Sequence, residues 1–170
     1  KLIEDTISQL ETMSAESTED FSLQAEIAAA YVQIGDIQGQ PFAANLGDSE
    51  AAQTSYEKAR SKLEDLRNSG KGNTEIDRSL SLALEGIGNI ELRKARPELA
   101  IEHHQRALEL RKNLLANDPG DVLIRSLTAN SYLNLADGFA VNANVKQADP
   151  VFDQTKAWNE RFDAQQQALQ

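Results

Sequence analysis

The chain has 170 residues and a formal net charge of −10, with 40% hydrophobic residues, only 5% aromatic residues and no cysteine. That length suits one domain with a Leu/Ala-rich core, and the missing cysteine excludes disulfides, zinc-thiolate sites and a cysteine nucleophile. The acidic balance argues against a nucleic-acid partner, and no apolar run is long enough for direct membrane insertion.

Residues 1–14 carry Leu2, Ile3, Ile7, Leu10 and Met13 at helical spacing, which predicts a leading helix that covers one end of the fold. Six acids in residues 1–20 (Glu4, Asp5, Glu11, Glu16, Glu19, Asp20) face Lys1 alone. A second helix is expected from about 21 to 35. Gly35 to Gly47, with three glycines and Pro41, then reads as a loop, with the insertion at 36–47. Asp48 or Ser49 caps the next helix, which runs to about Asn68. Ser69-Gly70-Lys71-Gly72-Asn73 breaks it. Thr74 and Asp77 open the following helix as a capping box, over about 75–94. Pro97 is tolerated in the first turn of the next helix, which ends near Ala116 before Asn117-Asp118-Pro119-Gly120. Asp121 caps a helix to about Asn142, and Pro150 places the start of a last helix at Asp149, running to about Ala168.

A repeat organises these helices. Ala52, Tyr56 and Ala59 share one helix face, and 48 residues on stand Ala100, His104 and Ala107. A further 48 on stand Ala148, Phe152 and Thr155. Small residues admit a neighbouring helix and the ring between them fills the groove. A partner helix precedes each copy, carrying Ile27, Ala28 and Tyr31, then Leu84, Ile87 and Gly88, then Tyr132, Leu135 and Ala136 with Phe139.

This pattern resembles the tetratricopeptide repeat, with a large residue, Leu-Gly and Tyr on helix A and Ala, Tyr/Phe, Ala on helix B, over residues 21 to 162. The unit here is longer than the usual length of about 34 residues. The resemblance implies an all-α, right-handed superhelical solenoid of three helix pairs plus the leading helix. The pairs would be 21–68, with its loop insertion at 36–47, then 75–116 and 121–168. The segment Ala28-Ala29-Ala30-Tyr31-Val32-Gln33-Ile34-Gly35-Asp36-Ile37-Gln38-Gly39, with Pro41 and Ala44-Asn45-Leu46-Gly47-Asp48, resembles more narrowly the repeats that follow bacterial eukaryotic-like serine/threonine kinase domains.

Carried over by position, the family's concave peptide groove would use Ala25, Ala29, Val32 and Gln33 in the first repeat. The second would offer Leu82, Glu85, Asn89, Leu92 and Arg93, and the third Asn130, Leu133, Asp137 and Val141. Arg93 stands nearly alone as a cation, so a terminal carboxylate is not the expected ligand. An extended protein segment is.

Chemistry-bearing alternatives fare poorly. Gly70-Lys71-Gly72 lacks the spacing of a phosphate loop. His103 and His104 are adjacent and so point about 100° apart on a helix, unable to share a metal on one face. Neither histidine has a carboxylate three positions before it, so no di-iron signature exists. Trp158 reads as packing. Arg93, Lys94 and Arg96 gather at one turn, either as a solvated turn or as a basic spot for an acidic peptide. No kinase motif is present.

The chain therefore reads as a non-catalytic protein-interaction module without cofactor or metal. It begins at Lys1 and is read as a piece of a larger signalling protein, working in the cytoplasm unless a membrane span precedes it. The alternative is a structural module that mediates homo-oligomerisation.

Overall fold

A computed structural model describes residues 1–39, 47–146, 160, 161, 163, 164 and 167. Most of these are helical, and no strand is among them. Six α-helices follow in order: α1 (Leu2–Glu16), α2 (Phe21–Gly39), α3 (Ser49–Leu66), α4 (Thr74–Arg93), α5 (Pro97–Asn117) and α6 (Val122–Lys146). The chain divides into two compact units, Lys1–Gly86 and Ile87–Gln170, with the boundary inside α4.

Four of the six helices are capped by a short polar residue just before them, whereas Lys1 and Arg96 before α1 and α5 make no side-chain cap bond. Asp20 Oδ1 accepts from Leu23 N, Asp48 Oδ1 from Ala51 N and Asp121 Oδ1 from Ile124 N, each at 3.0 Å. The start of α4 corrects one expectation. Asn73 is the cap, accepting from Ile76 N at 2.9 Å, and Thr74 already lies within the helix. At the other end of α3, Arg67–Lys71 forms a wide turn in which Gly70 takes φ 77°, a conformation that glycine adopts without strain.

The first unit is built on the α2–α3 pair. Ile27, Ala28, Tyr31, Val32 and Ile34 of α2 meet Ala52, Tyr56, Ala59 and Leu63 of α3 in the buried core, joined by Ile76, Leu80, Ala83 and Leu84 of α4. Each large apolar side chain removed from water contributes about 1.5–3 kcal/mol before entropy is counted. The expected loop at 36–47 does not begin at 36, because α2 continues through Gly35 to Gly39, and 40–46 lie outside the described residues. Gly35 is not a turn. A Cβ there would stand 2.6 Å from Cε1 of Tyr56, so the glycine makes room for the ring. In the last turn of α2 the buried Gln38 Oε1 accepts from Ser55 Oγ of α3 at 2.7 Å.

α1 packs on α2, yet none of its residues is buried, and Leu2 is 80% exposed. Ile3, Ile7 and Leu10 are half-buried, and polar contacts join α1 to its neighbours, among them Glu11 with Lys58 at 2.5 Å and Ser14 with Gln24 at 3.0 Å.

In the second unit α5 packs against α6. Ile101, Leu108, Leu135, Ala136 and Ala164 form one cluster, with Tyr132 and Phe139 against it. Gly138 admits Ile101, whose Cγ1 would lie 2.9 Å from an added Cβ. α6 runs to Lys146, four residues beyond the expected end at Asn142. The expected last helix lies almost wholly outside the described residues, as do Ala148, Phe152, Thr155 and Trp158. Within its span Glu160, Arg161, Asp163, Ala164 and Gln167 are helical.

Candidate functional site

The ring position of the first repeat fixes the interior of the first unit. Tyr56 is 1% exposed and meets two glycines: an added Cβ at Gly35 would come within 2.6 Å of the ring and one at Gly86 within 2.4 Å. Its hydroxyl donates to Asp36 Oδ1 at 2.7 Å. Burial raises the Asp36 pKa, the Tyr56 bond pulls it back down, and the nearby Glu85 charge raises it.

Two depressions flank Phe21 in this unit. One is a cleft of about 530 Å³ between α2 and α4. Ala25 and Ala29 line it from α2, Ile76 and Ser79 from α4, with Leu63 and Lys71 completing the wall. Its space comes from the two alanines, which cover little of the neighbouring helix. The Lys71 ammonium lies 4.6 Å from the Phe21 ring centroid, within cation–π range. The other is a cavity of about 290 Å³ between the end of α1, the start of α2 and the end of α3.

The positions assigned to the concave groove divide by exposure. In the first unit Ala25 and Ala29 line the cleft and Gln33 is exposed, while Val32 is buried and cannot line a groove. Leu82 and Glu85 are half-buried. In the second unit Asn89 and Leu92 are half-buried, and Arg93 is exposed. Asn130, Leu133 and Asp137 are exposed on α6, and Val141 is half-buried.

The repeat-packing residues Ala52 and Ala59 are fully buried beside Tyr56, and Ala100 and Ala107 are buried beside His104. The His104 ring abuts Gly88, where an added Cβ would stand 2.6 Å from Cε1. Burial, then the neighbouring His103, then the Arg111 charge lower the His104 pKa from 6.5 to about 4. Its Nε2 is buried and has no hydrogen-bond partner among the described residues.

Arg111, absent from the sequence expectations, is 0% exposed. Its Nη1 donates to Leu127 O at 2.9 Å and to Ser131 Oγ at 2.7 Å. The signal was present, since Arg111 continues the stripe of Ala100, His104 and Ala107 by one more turn. A cation on a buried stripe demands acceptors from the packed helix, and α6 supplies them.

At the basic turn Arg93, Lys94 and Arg96 are exposed. Arg96 Nη1 reaches the buried Glu91 Oε2 at 3.5 Å, so this arginine has a structural partner.

No group of three His, Cys, Asp or Glu side chains gathers as a metal site among the described residues. None of the described helices is long and apolar enough to cross a membrane. Comparison with protein-family models, curated proteins and solved structures yields no match.

Proposed function

We propose that this chain is a non-catalytic protein-interaction module that receives an extended protein segment on its A-type helices. The observation that carries the reading is the cleft of about 530 Å³ between α2 and α4. It is open, walled by small and apolar side chains, and edged by Glu26, Glu75 and Lys71, which offer polar contacts to a peptide backbone. Ala25 and Ala29, two of the residues that the tetratricopeptide resemblance assigns to a concave surface, lie in it. The helix pairs with rings between small residues support the same repeat reading, and with it a solenoid. The Ala28–Gly39 segment supports membership in a larger signalling protein such as a serine/threonine kinase. The coding sequence upstream of Lys1 tests that part.

The binding reading is tested with linear peptides selected on the immobilised chain from a displayed library. The selected peptides should lose binding to Ala29→Arg and Ser79→Arg variants that keep their helicity. Failure to select any peptide, or binding untouched by both variants, would refute it. Changes at Asn89, Arg93 and Asn130 ask whether the groove extends along the remaining A-type positions.

A second reading, self-association, is favoured by the exposure of Leu2 and Met13 on α1. A mass in solution that stays monomeric as concentration rises would exclude it.

A further inference from the structure

Lys62 holds an unusual place for a lysine. Its Nζ donates to Gln24 Oε1 at 3.0 Å and to Ser14 Oγ, and both partners are neutral. No ion pair joins it to a carboxylate among the described residues. An ammonium has three N–H donors, and these bonds use two. The remaining capacity belongs to a cation that lines the cavity of about 290 Å³. Burial lowers the Lys62 pKa, which the Asp65 charge partly restores. A lysine that is partly desolvated, with Asp65 nearby but no carboxylate in salt-bridge contact among the described residues, gains from an anion brought to it.

Asp65 stands on the same cavity wall, one helical turn from Lys62. A simple anion would gain from Lys62 and be repelled by Asp65, and a simple cation would meet the reverse. A molecule bearing both charges satisfies both walls. Phe21 and Leu66 complete the lining with apolar surface. At roughly 30 Å³ for each water displaced, the volume holds on the order of ten heavy atoms. That is the size of a medium or large amino acid.

We propose that this cavity binds a free α-amino acid, with its carboxylate on Lys62, its ammonium on Asp65 and its apolar side chain against Phe21 and Leu66. The ligand sits where α1 meets the α2–α3 pair. Because α1 buries no residue of its own, occupancy would tighten its attachment. This inference concerns a different depression from the peptide cleft and stands independently of it.

The test uses the full chain labelled with nitrogen-15 and titrated with L-leucine and, separately, L-phenylalanine. Two further probes each lack one charge: 4-methylpentanoate has no amine and 3-methylbutylamine has no carboxylate. At least one amino acid should shift the amides around Ser14, Lys62 and Asp65, with a Kd at or below about 1 mM. Each single-charge probe should bind at least about tenfold more weakly than leucine. Lys62→Met and Asp65→Asn should each weaken the amino acid by a similar factor. Asp65 is exposed, so Asp65→Asn decides the matter even if Lys62→Met disturbs the fold. The proposal is overturned if neither amino acid moves these amides, if 4-methylpentanoate binds as tightly as leucine, or if Asp65→Asn binds normally.

Discussion

Replacing Gly86 by alanine should destabilise the protein, against the ordinary rule for helices. In an exposed helix interior the change gains about 1 kcal/mol, because alanine loses less backbone entropy. Here the new methyl would stand 2.4 Å from Cζ and 2.6 Å from two other ring carbons of Tyr56. Carbon atoms prefer about 3.5–4.0 Å, so the ring or the helix must move by more than an ångström. The ring is not free to yield. It is buried, and its hydroxyl is tied to Asp36 at 2.7 Å. Overpacking of this kind costs about 1–3 kcal/mol, and the closeness of approach places it at the upper end. Set against the propensity gain, the net loss is about 2 kcal/mol, or a fall in Tm of about 4–8 °C for a chain of this size. A double-mutant cycle with Tyr56→Leu isolates the cause. Without the ring, Gly86→Ala should raise Tm. The argument fails if Gly86→Ala stabilises the parent chain, or if its effect is the same in both backgrounds.

His104 should make stability depend on pH. Its folded-state pKa, about 4, lies below the ordinary 6.5, so the unfolded chain binds the extra proton between those values. Stability is therefore intact above about pH 6.5 and falls as pH drops towards 4, by on the order of 3 kcal/mol in all. Urea midpoints at several pH values should show this loss in the parent and much less of it in His104→Phe. Arg111→Met removes a charge that depresses His104, so the His104 proton resonances should titrate at higher pH in that variant. Tyr56→Phe deletes the bond to Asp36 and should cost about 1 kcal/mol in chemical unfolding while raising the Asp36 pKa further. Ala95 takes φ 55° just after α4, so Ala95→Gly should stabilise by about 1 kcal/mol, read as a raised Tm.

Much of the helical order was legible from short-range chemistry. Asp48, Pro97 and Asp121 mark helix starts because a cap needs a side-chain acceptor, and a first-turn proline lacks only a donor that has no intrahelical partner. Glycine misled at position 35 because the residue has two meanings. It permits a turn, and it also removes a side chain where a neighbour must come close. Only the partner, Tyr56 on another helix, decides between them, and a local window does not contain it. The same limit hid the clasp of Ser14, Gln24 and Lys62. Gln24 lies one turn before Ile27 and Ala28, and Lys62 one turn after Ala59, so each sits near the core stripe of its helix. Their pairing joins positions 38 residues apart. Nor did the sequence reveal the α2–α4 cleft, because it is made of absent volume at Ala25 and Ala29. Val32 was misplaced for a related reason. Counting positions from the resemblance put it on the concave groove face, whereas α2 turns it into the core at 5% exposure.

Tyr56 and His104 occupy equivalent positions 48 residues apart, yet they place different demands on their surroundings. Tyr56 carries its polar atom at the end of a long ring, which reaches past the core to Asp36. The polar atom of the buried ring is therefore satisfied. His104 is shorter, so its nitrogens stay within the core, where Nε2 lacks a partner and the ring abuts Gly88. The fully buried Arg111 on the same stripe adds a like charge whenever the imidazole protonates. The second unit thus combines a buried cation, bonded to Leu127 O and Ser131 Oγ, with a buried imidazole nitrogen that lacks a partner among the described residues. That combination holds only while His104 remains neutral. Acid should therefore loosen the α5–α6 pair before the α2–α3 pair. Hydrogen exchange followed at pH 7 and pH 5 should show protection falling first in α5. Equal loss in α2 would mean that the acid response arises elsewhere.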